Sequence, residues 1–285
     1  MTCEFNAVEI RLFIFLKAIR PNNSSSYQLC AMRVAAIYDI HANLPALEAV
    51  LQELDDLKVD RIVVGGDVLP GPLPEETIKA LLDVEIPTVF IHGNGDREVL
   101  SQMEGLESNW YRTAPEGRRE PVRWTAQQLQ SDYRRLLSTW PSTYQLAIPG
   151  LGQVLFCHAT PRNDIDIFTR VTPETALLPL FEGLRVEMVV CGHTHMQFDR
   201  KVGSTRVVNA GSVGMPVAEP GADWLLLDPD VQLRHTRYDF LRAADRIRRT
   251  SYPQANDFAA RNIVHPPTEE EILAALRQAE LKYGA

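Results

Sequence analysis

Apolar and polar positions alternate with two different periods along the first hundred residues. Residues 33–38 form a short apolar run that reads as a buried strand, and 45–57 then place Leu47, Val50, Leu51 and Leu54 on one face at helical spacing. A second apolar run covers 61–64, Pro74 opens a helix over 75–82, and a third strand follows over 88–92. This β-α-β-α-β order predicts parallel strands whose carboxyl ends share one edge of a sheet, the edge at which open α/β sheets bind ligands. Residues 103–144 break the pattern. They carry Trp110, Tyr111, Trp124, Tyr133 and Trp140 and a helical stretch over about 123–137. A helical excursion over or beside the site is expected, its aromatics serving local core rather than base stacking.

Strands resume over 144–148 and 154–157, with a hairpin around Pro149, Gly150, Leu151 and Gly152. A helix over 173–181 and a strand over 187–191 follow. Short runs over 206–209, 224–228 and 231–238 suggest an antiparallel second sheet. Two helices, near 240–249 and 268–283, end the chain, the second opened by a capping box at Thr268, Glu269, Glu270 and Glu271. The expected fold class is α/β, with two facing mixed sheets flanked by helices. The expected domain spans 32–240, with a helical insertion at about 103–143 and a helical tail over 241–285 packed on or beside it.

The first thirty-one residues fit this pattern poorly. The apolar run over 8–19 contains Glu9, Arg11 and Lys17, too interrupted and short to cross a membrane, and it lacks the basic start and cleavage site of a secretory signal. Residues 22–26 read as a flexible link. Residues 1–31 are therefore expected to be a poorly ordered extension, with Met32 as the natural start, a point that mass spectrometry of the native N-terminus decides. No membrane association and a cytoplasmic location are expected.

The chain has 285 residues, 45% hydrophobic and 23% charged, which suits one large domain with additions and a substantial core. A net charge of -8 and a pI near 5.4 argue against a broad basic face for duplex nucleic acid, while leaving room for a local cationic pocket. The cysteines Cys3, Cys30, Cys157 and Cys191 form no CxxC pair and no disulfide framework, and Cys157 and Cys191 read as small buried residues.

Candidate chemistry lies in five polar stops at the ends of apolar runs: Asp39-Ile40-His41, Gly65-Gly66-Asp67, Gly93-Asn94-Gly95-Asp96, Cys157-His158 and Gly192-His193-Thr194-His195. If the strand end is extended, Asp39 and His41 point the same way, and His193 and His195 stand at alternate positions after a buried run. Carboxylate and imidazole together suit Mn, Fe, Zn or Ni better than calcium. Two glycines let Asp67 approach a neighbour, and its two oxygens could bridge two ions. Asn94 offers a neutral carbonyl oxygen from what reads as a tight loop. Each stop alone is most simply a helix cap, a turn or a satisfied histidine. Four of the seven histidines at strand ends, however, are costly to place without partners.

In this order the motifs D-x-H, GD, GN-x-D, H and GHTH resemble those of the calcineurin-like metallophosphoesterases. With Asn209-Ala210-Gly211-Ser212-Val213-Gly214-Met215-Pro216, the likeness is to the small prokaryotic branch related to YfcE-type phosphodiesterases, over about 33–228. The resemblance implies a four-layer α/β-β/α sandwich. It implies two divalent cations, with Mn²⁺ expected and Fe, Ni, Zn or Mg as alternatives. One would be held by Asp39, His41, Asp67 and His195, the other by Asp67, Asn94, His158 and His193. Catalysis would run by direct attack of a metal-bridging hydroxide, with Asp39, Asp67, Asn94 and His158 acting through it.

The partner would be a small phosphoester or nucleotide, such as a dinucleotide polyphosphate. Two departures stand out. Gly95 occupies the place of a His that many members use toward the leaving group, and Tyr38 stands where Ser is usual, its bulk expected to narrow the site. Gly95→His would then be expected to improve turnover of poor leaving groups. Arg97, Arg162 and Asn163 lie just beyond ligand positions and are candidates for substrate phosphate. A serine/threonine protein phosphatase, or a metal-binding regulatory protein of weak turnover because of Gly95, are the competing functions.

Overall fold

Residues 32–280 are described by a computed structural model, so the extension expected over 1–31 lies outside the described residues. The chain opens with strand β1 (Val34–Ile37), helix α1 (Leu44–Asp56), strand β2 (Arg61–Val64), helix α2 (Pro74–Leu82) and strand β3 (Thr88–Phe90). β1 pairs parallel to β2, and β2 parallel to β3. Asn43 caps α1 by accepting from Ala46 N at 3.3 Å, and Pro74 lies at the start of α2. Four helices follow: α3 (Asn94–Met103), α4 (Asn109–Thr113), α5 (Glu116–Gln128) and α6 (Ser131–Leu137).

Two expectations change here. Gly93-Asn94-Gly95-Asp96 is the first turn of α3 rather than a free loop, because Asp96 reaches back to accept from Gly93 N at 2.9 Å. The helix expected over 123–137 is two helices, broken where Leu129 turns extended (φ -86°, ψ 136°) and buries its side chain.

The hairpin β4 (Thr143–Ile148) and β5 (Gly152–Cys157), helix α7 (Glu174–Phe181), and strands β6 (Met188–Cys191), β7 (Phe198–Val202) and β8 (Thr205–Asn209) follow. They form a second sheet in the order β4-β5-β6-β8-β7, in which β8 runs parallel to β6. Strands β9 (Ala222–Leu227) and β10 (Val231–Thr236) do not join it. β9 adds antiparallel to β1 and β10 antiparallel to β9, giving the first sheet the order β10-β9-β1-β2-β3. The grouping of 206–209, 224–228 and 231–238 into one sheet is thus corrected. The run before β9 is tied back to β1, with Val213 N donating to Tyr38 O and Gly214 N to Asp39 O, both at 3.0 Å.

Period-2 alternation sorts the strand residues into layers. Ala35 and Ile37, with Trp224 and Leu226, pack under α1 and α2, while Val34, Ala36, Tyr38, Leu225 and Leu227 face Val154, Phe156, Val190 and Val208 of the other sheet. On the far side, Leu155, Cys157, Val189 and Val207 pack with Leu177 and Phe181 of α7. The result is a helix–sheet–sheet–helix sandwich. Because both faces of the central strands are covered, they read as continuous apolar runs. Cys157 and Cys191 are buried free thiols. The chain ends with α8 (Phe240–Arg248), α9 (Ala255–Phe258), a π-helical turn (Ala259–Val264) and α10 (Glu269–Glu280), the last opened by the expected Thr268–Glu271 capping box. Among the described residues no helix is long and apolar enough to cross a membrane.

Candidate metal centre

All five polar stops meet at one edge of the sandwich, but not by extended backbone. Asp39 (φ 51°), His41 (47°), Asp67 (49°), His193 (67°) and His195 (62°) are all left-handed. The expectation that an extended strand end aims Asp39 and His41 together is therefore replaced by tight turns at the strand ends. Such positions cost of order 1–3 kcal/mol each for a non-glycine residue and persist only where surrounding bonds hold them. Asp39 N donates to Gly66 O at 3.0 Å, His41 N to Asp67 O at 2.9 Å, and Gly192 N to His158 O at 2.8 Å. Gly66 (φ 92°) admits this approach, since a Cβ there would lie 2.5 Å from Gly93 N.

The side chains form two groups with ligand atoms within 4.8 Å of one another: Asp39, His41 and His195, and Asp67, His158 and His193. Asp67 spans both. Its Oδ2 lies 3.8 Å from His41 Nε2 and its Oδ1 3.5 Å from His158 Nε2. His158 Nδ1 is 3.0 Å from Gly65 O, which fixes a proton on that nitrogen and turns the Nε2 lone pair inward. His195 Nε2 is 3.3 Å from Asp39 Oδ1 and 3.2 Å from His41 Nε2. The Asn94 amide end lies 3.0 Å from His193 Nδ1 and 3.2 Å from His158 Nε2.

The donor set fits divalent cations. Asp39 Oδ1 is buried with no hydrogen-bond partner, although three imidazole Nε2 atoms lie within 4.0 Å of it. Burial alone would raise the Asp39 carboxyl, but His195 foremost holds it well below the carboxylate range. Burial and the Asp39 charge push Asp67 well above that range. Two buried carboxylates in this state are relieved by positive charge between them. Burial also depresses His41 and His193 to about 3, leaving neutral imidazoles, the form that ligates metal. Asn94, with its amide oxygen inward, would face only acceptors, an arrangement a cation satisfies; turned over, its NH₂ would donate to both histidines.

The remaining candidates are placed differently. Arg97 forks onto Asp164, with Nε 2.9 Å from Oδ2 and Nη2 3.0 Å from Oδ1, and Nη1 donates to Glu98. Arg162 lies 3.8 Å from Asp166, and Asn163 Oδ1 accepts from Ile165 N and Asp166 N. Tyr38 is fully buried between the sheets, its hydroxyl donating to Val190 O at 3.1 Å, so its ring packs in the inter-sheet core. At Gly95 there is no space for a side chain, since a Cβ would lie 2.3 Å from Leu69 O. Several supporting residues had no role assigned from the sequence, although Asn209 and Ser212 lie in the 209–216 motif. Asn209 Nδ2 donates to Gly192 O at 2.6 Å, Ser212 Oγ to Asp39 O at 2.7 Å, and Asp164 holds Arg97.

Residues 32–231 match the sequence model of the calcineurin-like phosphoesterase superfamily domain. The chain belongs to that superfamily. It is 24% identical to a protein of Methanocaldococcus jannaschii described as uncharacterized, over 78% of this chain and 94% of that one. Among solved structures it is similar to a hypothetical protein of Pyrococcus horikoshii, with a TM-score of 0.70 and 21% identity, covering 83% of this chain and all of that one. It is similar also to a metallophosphoesterase of Sphaerobacter thermophilus, with a TM-score of 0.62 and 25% identity, covering 82% of this chain and all of that one. Within this superfamily fold, the ligand cluster lies at the floor of a cavity of about 820 Å³ whose walls come from α5 and from residues beyond the matched domain, among them Tyr252, Phe258 and Ile272.

Proposed function

We propose that this chain is a two-metal phosphoesterase that hydrolyses a phosphodiester or phosphoanhydride bond in a small, nucleotide-like molecule. The observation that carries this is Asp67, whose two oxygens are divided between two buried ligand groups. Asp39, His41, Asp67 and His195 would hold one divalent cation, and Asp67, Asn94, His158 and His193 the other. Manganese is the expected metal. When bound, such ions supply Lewis acidity toward phosphorus and acidify water for direct attack. Gly65 O and Asp39 orient His158 and the backbone of His193, so the ligand nitrogens are set before a substrate arrives.

Substrate size follows from the walls. A cavity of about 820 Å³ lined by α5 and the C-terminal segment suits a small molecule better than a segment of a folded protein, which favours this reading over a protein phosphatase. With Gly95 closed to a side chain, no acid for the leaving group comes from that position. Leaving groups stable as anions, such as nucleotides, are therefore the better substrates.

Hydrolysis of bis-p-nitrophenyl phosphate, p-nitrophenyl phosphate and a dinucleotide polyphosphate, each with Mn²⁺, Ni²⁺ or Mg²⁺, tests the proposal. Metal-dependent turnover of the diester or anhydride, lost together with metal binding in Asp67→Ala, is the expected outcome. No metal-dependent turnover on any of the three would favour a binding or regulatory protein instead.

A further inference from the structure

The cavity above the ligand cluster contains two guanidinium groups with no role so far. Arg118 is on α5, and Arg261 is in the π-helical turn Ala259–Val264, outside the matched superfamily domain. The arginines around them are engaged. Arg119 and Arg123 both pair with Glu116 on α5, Arg97 with Asp164, and Arg162 with Asp166. Among the described residues, the guanidinium groups of Arg118 and Arg261 form neither a hydrogen bond nor an ion pair; the Glu271 carboxyl is lowered first by its hydrogen bonds from Thr268 and only last by the charge of Arg261. Both arginines are exposed to the cavity solvent.

The two segments that carry them are held against each other. Gln254 Nε2 donates to Gly117 O at 2.5 Å, one residue from Arg118, and Trp124 meets Tyr252 edge to face at 5.2 Å. The acidic residues of the same walls are mostly committed. Glu98 accepts from Arg97 and Ser108, and Glu271 accepts from the Thr268 backbone and hydroxyl, leaving Asp257 against two arginines. Arg261 also sits on the one π-helical turn of the described residues, a conformation that is rare and frequent at functional sites. Trp110, 39% exposed, adds a flat apolar surface to the same walls.

Both arginines line the same cavity as the ligand cluster and belong to neither of its ligand groups. We propose that Arg118 and Arg261 form a second anion-binding subsite across the cavity from the ligand cluster. The substrate class is then a phosphoester that carries another phosphate besides the one hydrolysed. This rests on the phosphoesterase reading for the reacting group, while the subsite itself needs only the two arginines. Arginine suits the role because its planar fork pairs with phosphate oxygens in two parallel bonds.

The test uses a matched pair of diesters, thymidine 5′-(p-nitrophenyl phosphate) and the same compound with a 3′-phosphate. The ratio of their kcat/KM values is measured for the wild type, Arg118→Ala, Arg261→Ala, the double variant and the two Arg→Lys variants. In parallel, binding of thymidine 3′,5′-bisphosphate and thymidine 5′-monophosphate is measured calorimetrically in EDTA, so that no metal and no turnover are needed. The wild type should prefer the doubly phosphorylated member of each pair by about tenfold or more. Each Ala variant should lower that preference, the double variant should bring it below about threefold, and the Lys variants should fall between. A wild type without preference, or a double variant that keeps it, overturns the subsite. Where the two arms differ, the binding arm decides. If the wild type cleaves neither diester, the phosphoesterase reading fails, and the binding arm still decides the subsite by itself.

Discussion

A Cβ at position 95 would lie 2.3 Å from Leu69 O, 2.9 Å from Pro70 Cδ and 3.0 Å from Asp67 Oδ1. The glycine is therefore required by its surroundings and is not a gap left by a missing histidine. Gly95→Ala and Gly95→His should each cost about 1–3 kcal/mol of stability, as overpacking of a tight site does. Gly95→His should bring no gain on p-nitrophenyl phosphate, which reverses the expectation drawn from the sequence. Urea unfolding and monoester turnover check this; a stable Gly95→His with faster monoester hydrolysis would contradict it. Tyr38→Phe removes one buried hydrogen bond to Val190 O, and should lower stability by about 0.5–1.5 kcal/mol in urea unfolding with the metal cluster intact. The metal-binding candidates were legible because a polar residue after a buried run is conspicuous. The roles of Asn209 and Ser212, seen only as members of the 209–216 motif, and of Asp164 were not, because they act on the backbone or on a distant side chain that only folding brings near.

At the scale of elements, β1 to β3 with α1 and α2 follow from hydrophobic periodicity because each contact is with a neighbour in sequence. The sheet assignment of β9 and β10 was out of reach for the opposite reason. Both faces of β9 are buried, so its sequence suits either sheet, and the bonds from Val213 and Gly214 to Tyr38 and Asp39 decide. β10 also carries His235, whose Nδ1 is 2.7 Å from Asp223 Oδ1 and whose Nε2 is 3.1 Å from Pro220 O. Both partners accept, so the protonated ring suits them best, and the Asp223 hydrogen bond foremost raises the His235 pKa above 6.5. The folded chain then holds this proton more tightly than the unfolded one. The resulting stabilisation is whole below the ordinary imidazole value and is lost as pH rises through the raised one. The difference in melting temperature between wild type and His235→Gln should shrink as pH rises from the ordinary imidazole value through the raised one. A difference independent of pH would contradict the ion pair.

At the scale of the whole molecule, the superfamily sandwich supplies the floor of the cavity, and the segment after β10 supplies much of its wall. That segment has its own apolar cluster, in which Ala244, Ile247, Phe258 and Ile263 are buried and Trp124, Met215 and Tyr238 pack against them. Phe258→Ala should cost about 3–5 kcal/mol, and calorimetric melting reads the loss. A negligible change would mean that the wall is not part of the cooperative fold. The helices near 240–249 and 268–283 were legible in the sequence, but α9 and the π-helical turn between them were not, and no ligand-type motif marks the segment as a cavity wall. On the proposed reading, Asp67 joins two cation sites that act together on a phosphodiester. The most direct test of that reading is hydrolysis of bis-p-nitrophenyl phosphate by metal-stripped protein titrated with Mn²⁺. Activity should be absent at the start, rise until two equivalents per chain are bound, and then level off. Saturation at one equivalent, or turnover that ignores the metal, would contradict the account.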